Sequence, residues 1–181
     1  MALVEPAQQR ALLSVARRAL AAHLGRGWGA PDPYETHPEL TRPSGAFVSL
    51  HRGHDLRGCI GTFESGRPLV ETVRSMAVSA ATRDPRFPPV GADELDDLTI
   101  EISVLGATRP AQPSEVEVGR HGLCVSRDRF RGVLLPQVAR ENRWTAQEFL
   151  MHTCRKAGLW EHAWQDPQTV VEVFEAEVFS E

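Results

Sequence analysis

The stretch AFVSLHRGHDLRGCIGTF, residues 46–63, decides the fold, because two runs of strand-forming residues flank one short turn. The turn falls at Arg52–Asp55 and contains Gly53, a residue type that favours tight turns. Two strands joined by so short a connection run antiparallel. The stretch therefore predicts a β-hairpin with Cys59 in its second strand.

The rest of the chain mixes helices with further short strands. Apolar residues at helical spacing predict helices after Pro6, over residues 68–84 and over residues 145–159, where Thr145 and Glu148 form a capping box. Strands are predicted at residues 98–105, 114–118, 122–127, 131–137 and 169–179. Because strands and helices do not alternate regularly, we expect an α+β fold with a mainly antiparallel sheet flanked by helices.

Composition narrows the class of protein. A chain of 181 residues with a formal net charge of −4 is typical of one globular domain. A general nucleic-acid binder carries a basic excess, so we expect no nucleic-acid partner. Glu5, Arg17 and Arg18 interrupt the apolar N-terminal residues, so we expect no signal peptide, no membrane span and a cytoplasmic location.

The cysteines argue against a structural metal or disulfide. Cys59, Cys124 and Cys154 are odd in number and far apart in the sequence. This spacing fits neither a disulfide framework nor a CxxC-type zinc site. We therefore expect reduced thiols, no metal site and no bound cofactor.

Cys59 has the neighbours of a reactive thiol. Residues two apart in a strand share a face, so Arg57 should project beside Cys59 and favour its thiolate form. Gly58 and Gly61 leave the sulfur uncovered and would let a substrate carbonyl reach backbone N–H groups, as in an oxyanion hole. The alternative is that Cys59 is a small core residue and that the glycines mark a bulge or tight packing.

A cysteine nucleophile needs a base, and a histidine usually supplies it. Pairing His51 with Leu56 across an even-numbered turn places His51 on the face opposite Cys59, unless a bulge intervenes. His54 lies in the turn itself. His121 lies between two glycines at the mouth of another turn, so we expect His121 to be the histidine nearest Cys59. Further polar candidates are Glu101 on the polar side of its strand and, in a rigid proline-rich loop, Asp84 and Arg86.

Six stretches in order along the chain resemble the AMMECR-domain family, also called AmmeMemoRadiSam system protein A. They are LRGCIGT (56–62), DPRFPPV (84–90), LTIEISVL (98–105), GRHGL (119–123), LLPQVA (134–139) and EFLMHTCRKAGL (148–159). The resemblance implies one AMMECR-type domain over residues 1–181, with a larger lobe from the N- and C-terminal parts and a smaller lobe from the central segment. It also implies a central cleft between the lobes, lined by Arg57, Cys59, Asp84, Arg86, Glu101, His121 and Gln137.

The family name also implies partners, a Memo-type protein and a radical S-adenosylmethionine protein, but it supplies no reaction. One hypothesis is a cysteine enzyme for acyl or amide transfer or hydrolysis. In it Cys59 attacks, His121 moves the proton, Glu101 orients His121, and Arg57 or Arg86 holds an anionic group. The other is a non-catalytic partner that presents a peptide or small molecule held in the cleft. A metal site of Cys59 and His121 is a third, weaker alternative.

Overall fold

The computed structural model describes residues 3–63 and 66–181. The α-helices in these residues are α1 (Pro6–His23), α2 (Leu69–Thr82), α3 (Pro136–Glu141) and α4 (Ala146–Lys156). The β-strands are β1 (Ala46–Arg52), β2 (Asp55–Thr62), β3 (Leu98–Leu105), β4 (Arg109–Pro110), β5 (His121–Arg127), β6 (Phe130–Leu134) and β7 (Val170–Ser180). Every strand pairing is antiparallel among those that the structure describes. The chain therefore has the predicted α+β fold.

Two local predictions were wrong, and proline explains both. Residues 114–118 form no strand, because Pro113 begins a 3-10 turn, Pro113–Glu115, that a Gln112 capping box closes. The strand predicted over residues 131–137 ends at Leu134, because Pro136 starts the short helix α3, which the sequence analysis missed. Proline fits the first turn of a helix and cannot donate a hydrogen bond within a sheet.

The chain forms two compact units. The first contains Met1–Leu105 together with Glu177–Glu181, and the second contains Gly106–Ala176. Strand β7 contributes to both, since its first residues pair with β4 and β5 in the second unit. The predicted cleft between two lobes stays a prediction.

In the first unit, one face of the strands β2, β1 and β3 packs against helices. The strand order places β1 in the middle, bonded to β2 on one side and to β3 on the other. Val48 and Leu50 of β1 are fully buried in one core with residues of α1 and α2. Because side chains alternate along a strand, the residues between them project from the opposite face of the sheet. This opposite face, which we call the open face, carries Ser49.

In the second unit, strands β7, β5 and β6 pack against α4. The buried residues include Leu123 and Val125 of β5 and Phe149 and Cys154 of α4. Thr145 accepts a hydrogen bond from the backbone N–H of Glu148, and the reciprocal bond completes the predicted capping box. The start of α4 is therefore confirmed, and Cys154 is a core residue with its thiol buried.

Candidate functional site

The hairpin of residues 46–63 contains a β-bulge at Arg57. Leu50 pairs with Gly58, whereas His51 pairs with Leu56. Arg57 is therefore an extra residue that has no paired residue on β1. A bulge interrupts the alternation of side chains along its strand. The face on which each later residue of β2 lies therefore depends on this bulge.

Beyond the bulge, three polar residues lie in one row across the sheet. Ser49 is directly opposite Cys59 on β2 and directly opposite Glu101 on β3. Directly opposite residues share a face, and the Ser49 hydroxyl donates a hydrogen bond to the Cys59 sulfur at 3.2 Å. The open face thus carries a row, Cys59–Ser49–Glu101, which we call the thiol row.

The bulge also places His51 on the open face. The pairing of His51 with Leu56 is as predicted, but the conclusion that His51 faces away from Cys59 was wrong. Residues two apart on β1 share a face, so His51 lies on the same side as Ser49 and is a diagonal neighbour of Cys59. The Nε2 atom of His51 is buried and has no hydrogen-bond partner within the described residues. His54 lies exposed in the two-residue turn.

A buried carboxylate anchors the backbone of Cys59. The Cys59 N–H donates to Oδ2 of Asp84 at 2.9 Å, and the Asp84 side chain is only 2% exposed. The Arg86 guanidinium donates to both carboxylate oxygens, at 3.0 and 2.7 Å. These bonds from Arg86 hold the pKa of Asp84 well below its usual range, and the N–H of Cys59 adds to the effect. Asp84 is therefore a charged buried residue that fixes the strand beside the thiol.

Arg86 is a cation that Asp84 holds in a fixed position beside the strand of Cys59. Its side chain is 56% exposed although both carboxylate oxygens of Asp84 are engaged with it. The pKa of Arg86 is raised chiefly by the hydrogen bonds to Asp84 and in small part by its electrostatic interaction with Cys59. Arg86 thus combines a fixed position with access to solvent.

Arg57 is held by a residue that the sequence analysis did not single out. Its guanidinium binds Glu94 through two hydrogen bonds of 2.8 Å and also donates to the carbonyl oxygen of Pro88 at 2.9 Å. The hydrogen bond from Arg57 lowers the pKa of Glu94 to about 2. Arg57 therefore fastens the bulge to the proline-rich loop, and its predicted role in holding an anion stays a prediction.

Gly58 and Gly61, the two glycines near Cys59, have packing roles. A Cβ atom on Gly58 would overlap the carbonyl oxygen of Ala80 on α2, and one on Gly61 would overlap the ring of Phe47. The N–H of Cys59 is already bonded to Asp84. These contacts favour the alternative in which the glycines mark a bulge and close packing, and they leave the Cys59 N–H no free role in an oxyanion hole.

The other predicted site residues belong to the second unit. His121 is buried at the start of β5, and its Nδ1 accepts a hydrogen bond from the N–H of Glu117 at 3.1 Å. Gln137 lies in the first turn of α3. That His121 is the histidine nearest Cys59, and that Glu101 orients it, stay predictions.

The other two cysteines are buried in the core. Burial raises the pKa of both Cys124 and Cys154, whereas Cys59 is only partly buried.

No group of three or more metal-ligating side chains gathers within the described residues. None of the helices in residues 3–63 and 66–181 is both long and apolar enough to span a membrane.

Comparison with known proteins establishes the family. The AMMECR1 family model matches residues 13–179. A protein of Methanothermobacter thermautotrophicus is 44% identical over 95% of this chain and 93% of its own length. Protein PH0010 of Pyrococcus horikoshii is 43% identical over 94% of this chain and 88% of its own. The crystal structure of that protein, described as uncharacterized, superimposes with a TM-score of 0.87 and 40% identity over 99% of this chain and 94% of that one. The chain belongs to the AMMECR1 family.

Proposed function

We propose that Cys59 is the reacting group of a thiol-dependent site for acyl or amide transfer or hydrolysis. The observation that carries the proposal is the 3.2 Å hydrogen bond that the Ser49 hydroxyl donates to the Cys59 sulfur. This bond fixes the position of the sulfur, and the sulfur of a cysteine is a strong nucleophile. Cys124 and Cys154 are fully buried, whereas Cys59 is partly accessible.

The proposed reaction has two steps, acylation of the thiol and hydrolysis of the thioester. The sulfur attacks the carbonyl carbon of an ester or amide, a thioester forms, and the departing alcohol or amine takes up the proton that the thiol loses. Water then hydrolyses the thioester to a carboxylic acid and restores the thiol. His51 and Glu101 on the open face are candidates to carry the proton, besides His121 as first predicted. An anionic group on the substrate would face the exposed side of Arg86.

The second candidate is a protein that holds its substrate without turning it over. The observation that favours it is the bond from the Cys59 N–H to Asp84, because an N–H bound to a carboxylate cannot also stabilise an oxyanion. In this case Cys59 would take up an acyl group and keep it as a thioester. The chain would then present a peptide or small molecule to another enzyme.

The proposed setting of either activity is the cytoplasm, together with a Memo-type protein and a radical S-adenosylmethionine protein. The two partners are taken from the alternative family name, AmmeMemoRadiSam system protein A, which records an association with these two kinds of protein. The partner proposal is tested by mixing the purified chain with each purified partner. Size-exclusion chromatography with light scattering then measures the mass of the eluted species. Elution of all components as separate monodisperse species would contradict the partner proposal.

The thiol proposal is tested with p-nitrophenyl acetate, an activated ester that reports acylation and turnover separately. Intact-mass spectrometry should show one acetyl group on the wild-type chain and none on Cys59→Ala, while Cys154→Val, altered only in the core, should still be acetylated. Continued release of p-nitrophenol after the first equivalent supports the enzyme, whereas one equivalent without turnover supports the carrier. Equal acetylation of Cys59→Ala and wild type would overturn both.

A further inference from the structure

The outer face of α2 borders a groove that the proposed thiol chemistry does not use. The groove has a volume of about 370 Å³ and is lined chiefly by α2, with His23 from the last turn of α1. This volume falls within the range of about 300–1,000 Å³ that is typical of ligand sites. The inner face of α2 packs into the core with β1, on the side of the sheet away from the thiol row. The groove is therefore a site separate from Cys59.

Four of the lining residues form a row along α2. They are Glu71, Ser75 and Ser79 of the helix and Arg83, which follows its last turn, and each comes four residues after the one before. Residues four apart lie on the same side of an α-helix, about one turn from each other. Two hydroxyl groups and a guanidinium therefore lie on successive turns of one side of the groove.

The hydroxyl groups of Ser75 and Ser79 have no hydrogen-bond partner within the described residues. Thr82 differs, because its hydroxyl donates to the carbonyl oxygen of Val78 at 2.8 Å. Ser79 is only 8% exposed, yet neither serine oxygen is sealed from solvent. A ligand in the groove can therefore reach both hydroxyl groups, and each has a proton to donate.

Arg83 supplies a positive charge that no described carboxylate neutralises. Its side chain is exposed and its guanidinium makes no hydrogen bond or ion pair within the described residues. Arg74 also lines the groove, but it is paired with Glu71, the one carboxylate among the described lining residues. The full charge of Arg83 exceeds the partial negative charge, about half an elementary charge, at the C-terminal end of α2. This end of the groove therefore attracts anions.

A phosphate monoester suits these groups better than a carboxylate does. It carries a charge of about −1.5 to −2 at neutral pH and has three strong acceptor oxygens. A guanidinium binds two of these oxygens through parallel N–H bonds, and a hydroxyl can donate to the third. A carboxylate has two oxygens, so Arg83 alone would occupy it and the hydroxyl groups would stay unpaired. Val78, which also lines the groove, offers an apolar surface for the organic part of an ester.

We infer that this groove, which we call the α2 groove, binds a small phosphate monoester. The phosphate accepts hydrogen bonds from the Arg83 guanidinium and the Ser79 hydroxyl. The organic part lies along the helix towards Ser75 and Val78, and the imidazole of His23 faces it from α1. The ligand is recognised through its double negative charge and through an organic group small enough for the volume of the groove.

Isothermal titration calorimetry with adenosine 5′-monophosphate tests the inference on the full chain. Arg83→Gln removes the charge and should weaken binding about tenfold or more, whereas Ser79→Ala removes one neutral hydrogen bond and should weaken it about fivefold. Arg10→Gln is the matched control, because Arg10 is an exposed arginine of α1 that does not line the groove, and it should bind like the wild type. Melting temperatures establish that each variant is folded.

Ligand variants test the two features of the ligand separately. Adenosine, which lacks the phosphate, should not bind measurably, and inorganic phosphate, which lacks the organic part, should bind more weakly than the monophosphate. Added salt should weaken binding of the monophosphate to the wild type more than to Arg83→Gln. No binding at millimolar monophosphate, equal binding of the monophosphate and adenosine, or equal affinity of Arg83→Gln, Ser79→Ala and wild type would each overturn the inference. If Arg83→Gln does not fold, Ser79→Ala alone decides.

Discussion

The backbone N–H of Cys59 donates a 2.9 Å hydrogen bond to Oδ2 of Asp84, a residue 25 positions later in the chain. The proline-rich loop after α2 is thereby fastened to the strand that carries the thiol. Arg86 neutralises the buried carboxylate from the solvent side. The position of the sulfur consequently depends on a charged pair rather than on packing alone.

Asp84→Asn should destabilise the protein and change how its stability depends on pH. The substitution weakens charge-assisted hydrogen bonds to Cys59 and Arg86, and the loss of one such bond costs about 1.5–3 kcal/mol. The pKa of Asp84 is lowered in the folded state, so its contribution is fully present above its ordinary pKa of about 3.9 and is lost as the pH falls through the lower, folded value. Urea unfolding between pH 7 and pH 2 measures this.

The control for this experiment is Glu71→Gln, at an exposed carboxylate paired with Arg74 on the surface of α2. It should leave the free energy of unfolding within about 0.5 kcal/mol of the wild type. Between neutral and acidic pH, the free energy of unfolding should fall less for Asp84→Asn than for Glu71→Gln. If the free energy of unfolding of the two variants depends on pH in the same way, the Asp84 carboxylate does not stabilise the folded protein.

Iodoacetamide should label Cys59 before the other two thiols. Cys59 is partly exposed, whereas Cys124 and Cys154 are fully buried and burial raises their pKa values. Ser49→Ala removes the hydroxyl that donates to the sulfur and should slow labelling of Cys59 about fivefold. Peptide mapping by mass spectrometry over time measures each rate. Similar slow rates at all three cysteines would contradict a reactive Cys59.

Gly58→Ala should be strongly destabilising, because the new Cβ would overlap the backbone carbonyl of Ala80, which cannot move without α2. Overpacking of this kind costs about 1–3 kcal/mol, and the melting temperature should fall by several degrees. Gly27→Ala is the matched control, since nothing lies within 4 Å of its added Cβ. A melting temperature of Gly58→Ala equal to that of Gly27→Ala would show that the strand and helix do not pack this closely.

Thr145→Ala should lower the free energy of unfolding by about 1 kcal/mol, the usual effect of removing an N-cap. The Thr145 side chain accepts from the N–H of Glu148, and no methyl group can replace that bond. Gln147→Ala changes an exposed residue of the same turn that is not the cap and serves as the control. Chemical denaturation measures both. An equal effect of the two substitutions would mean that the cap contributes nothing.

These residues show which features the sequence could predict. The Thr145 cap and the helical and strand periodicities depend on neighbours within a few positions, so local patterns were sufficient to predict them. The sequence offered a bulge only as an alternative and could not place it at Arg57, because Arg57 is held by Glu94, 37 residues away. The face of the sheet on which His51 lies follows from that bulge. Local elements were thus easier to predict than the geometry that distant residues impose on them.

His51 is the histidine that we expect to act as the base for Cys59. His51 lies on the open face, diagonal to the thiol, with a buried Nε2 that has no partner in the residues described, whereas the Nδ1 of His121 already accepts a bond from Glu117. We therefore expect His51→Asn to slow the acetylation of Cys59 by p-nitrophenyl acetate by a factor of about 100 or more, the usual contribution of a general base. His54→Asn, in the exposed turn, should leave the rate unchanged.

His121→Asn distinguishes this expectation from the one made on sequence alone. If His121 is the base, its substitution lowers the acetylation rate at neutral pH while His51→Asn does not. The rate should then be measured from pH 5 to pH 9, because removing the true base abolishes the rise of the rate that accompanies its deprotonation, whereas a structural loss lowers the rate by the same factor at every pH. Retention of that rise in both variants would contradict a histidine base, because an ordinary thiol also ionises within this pH range.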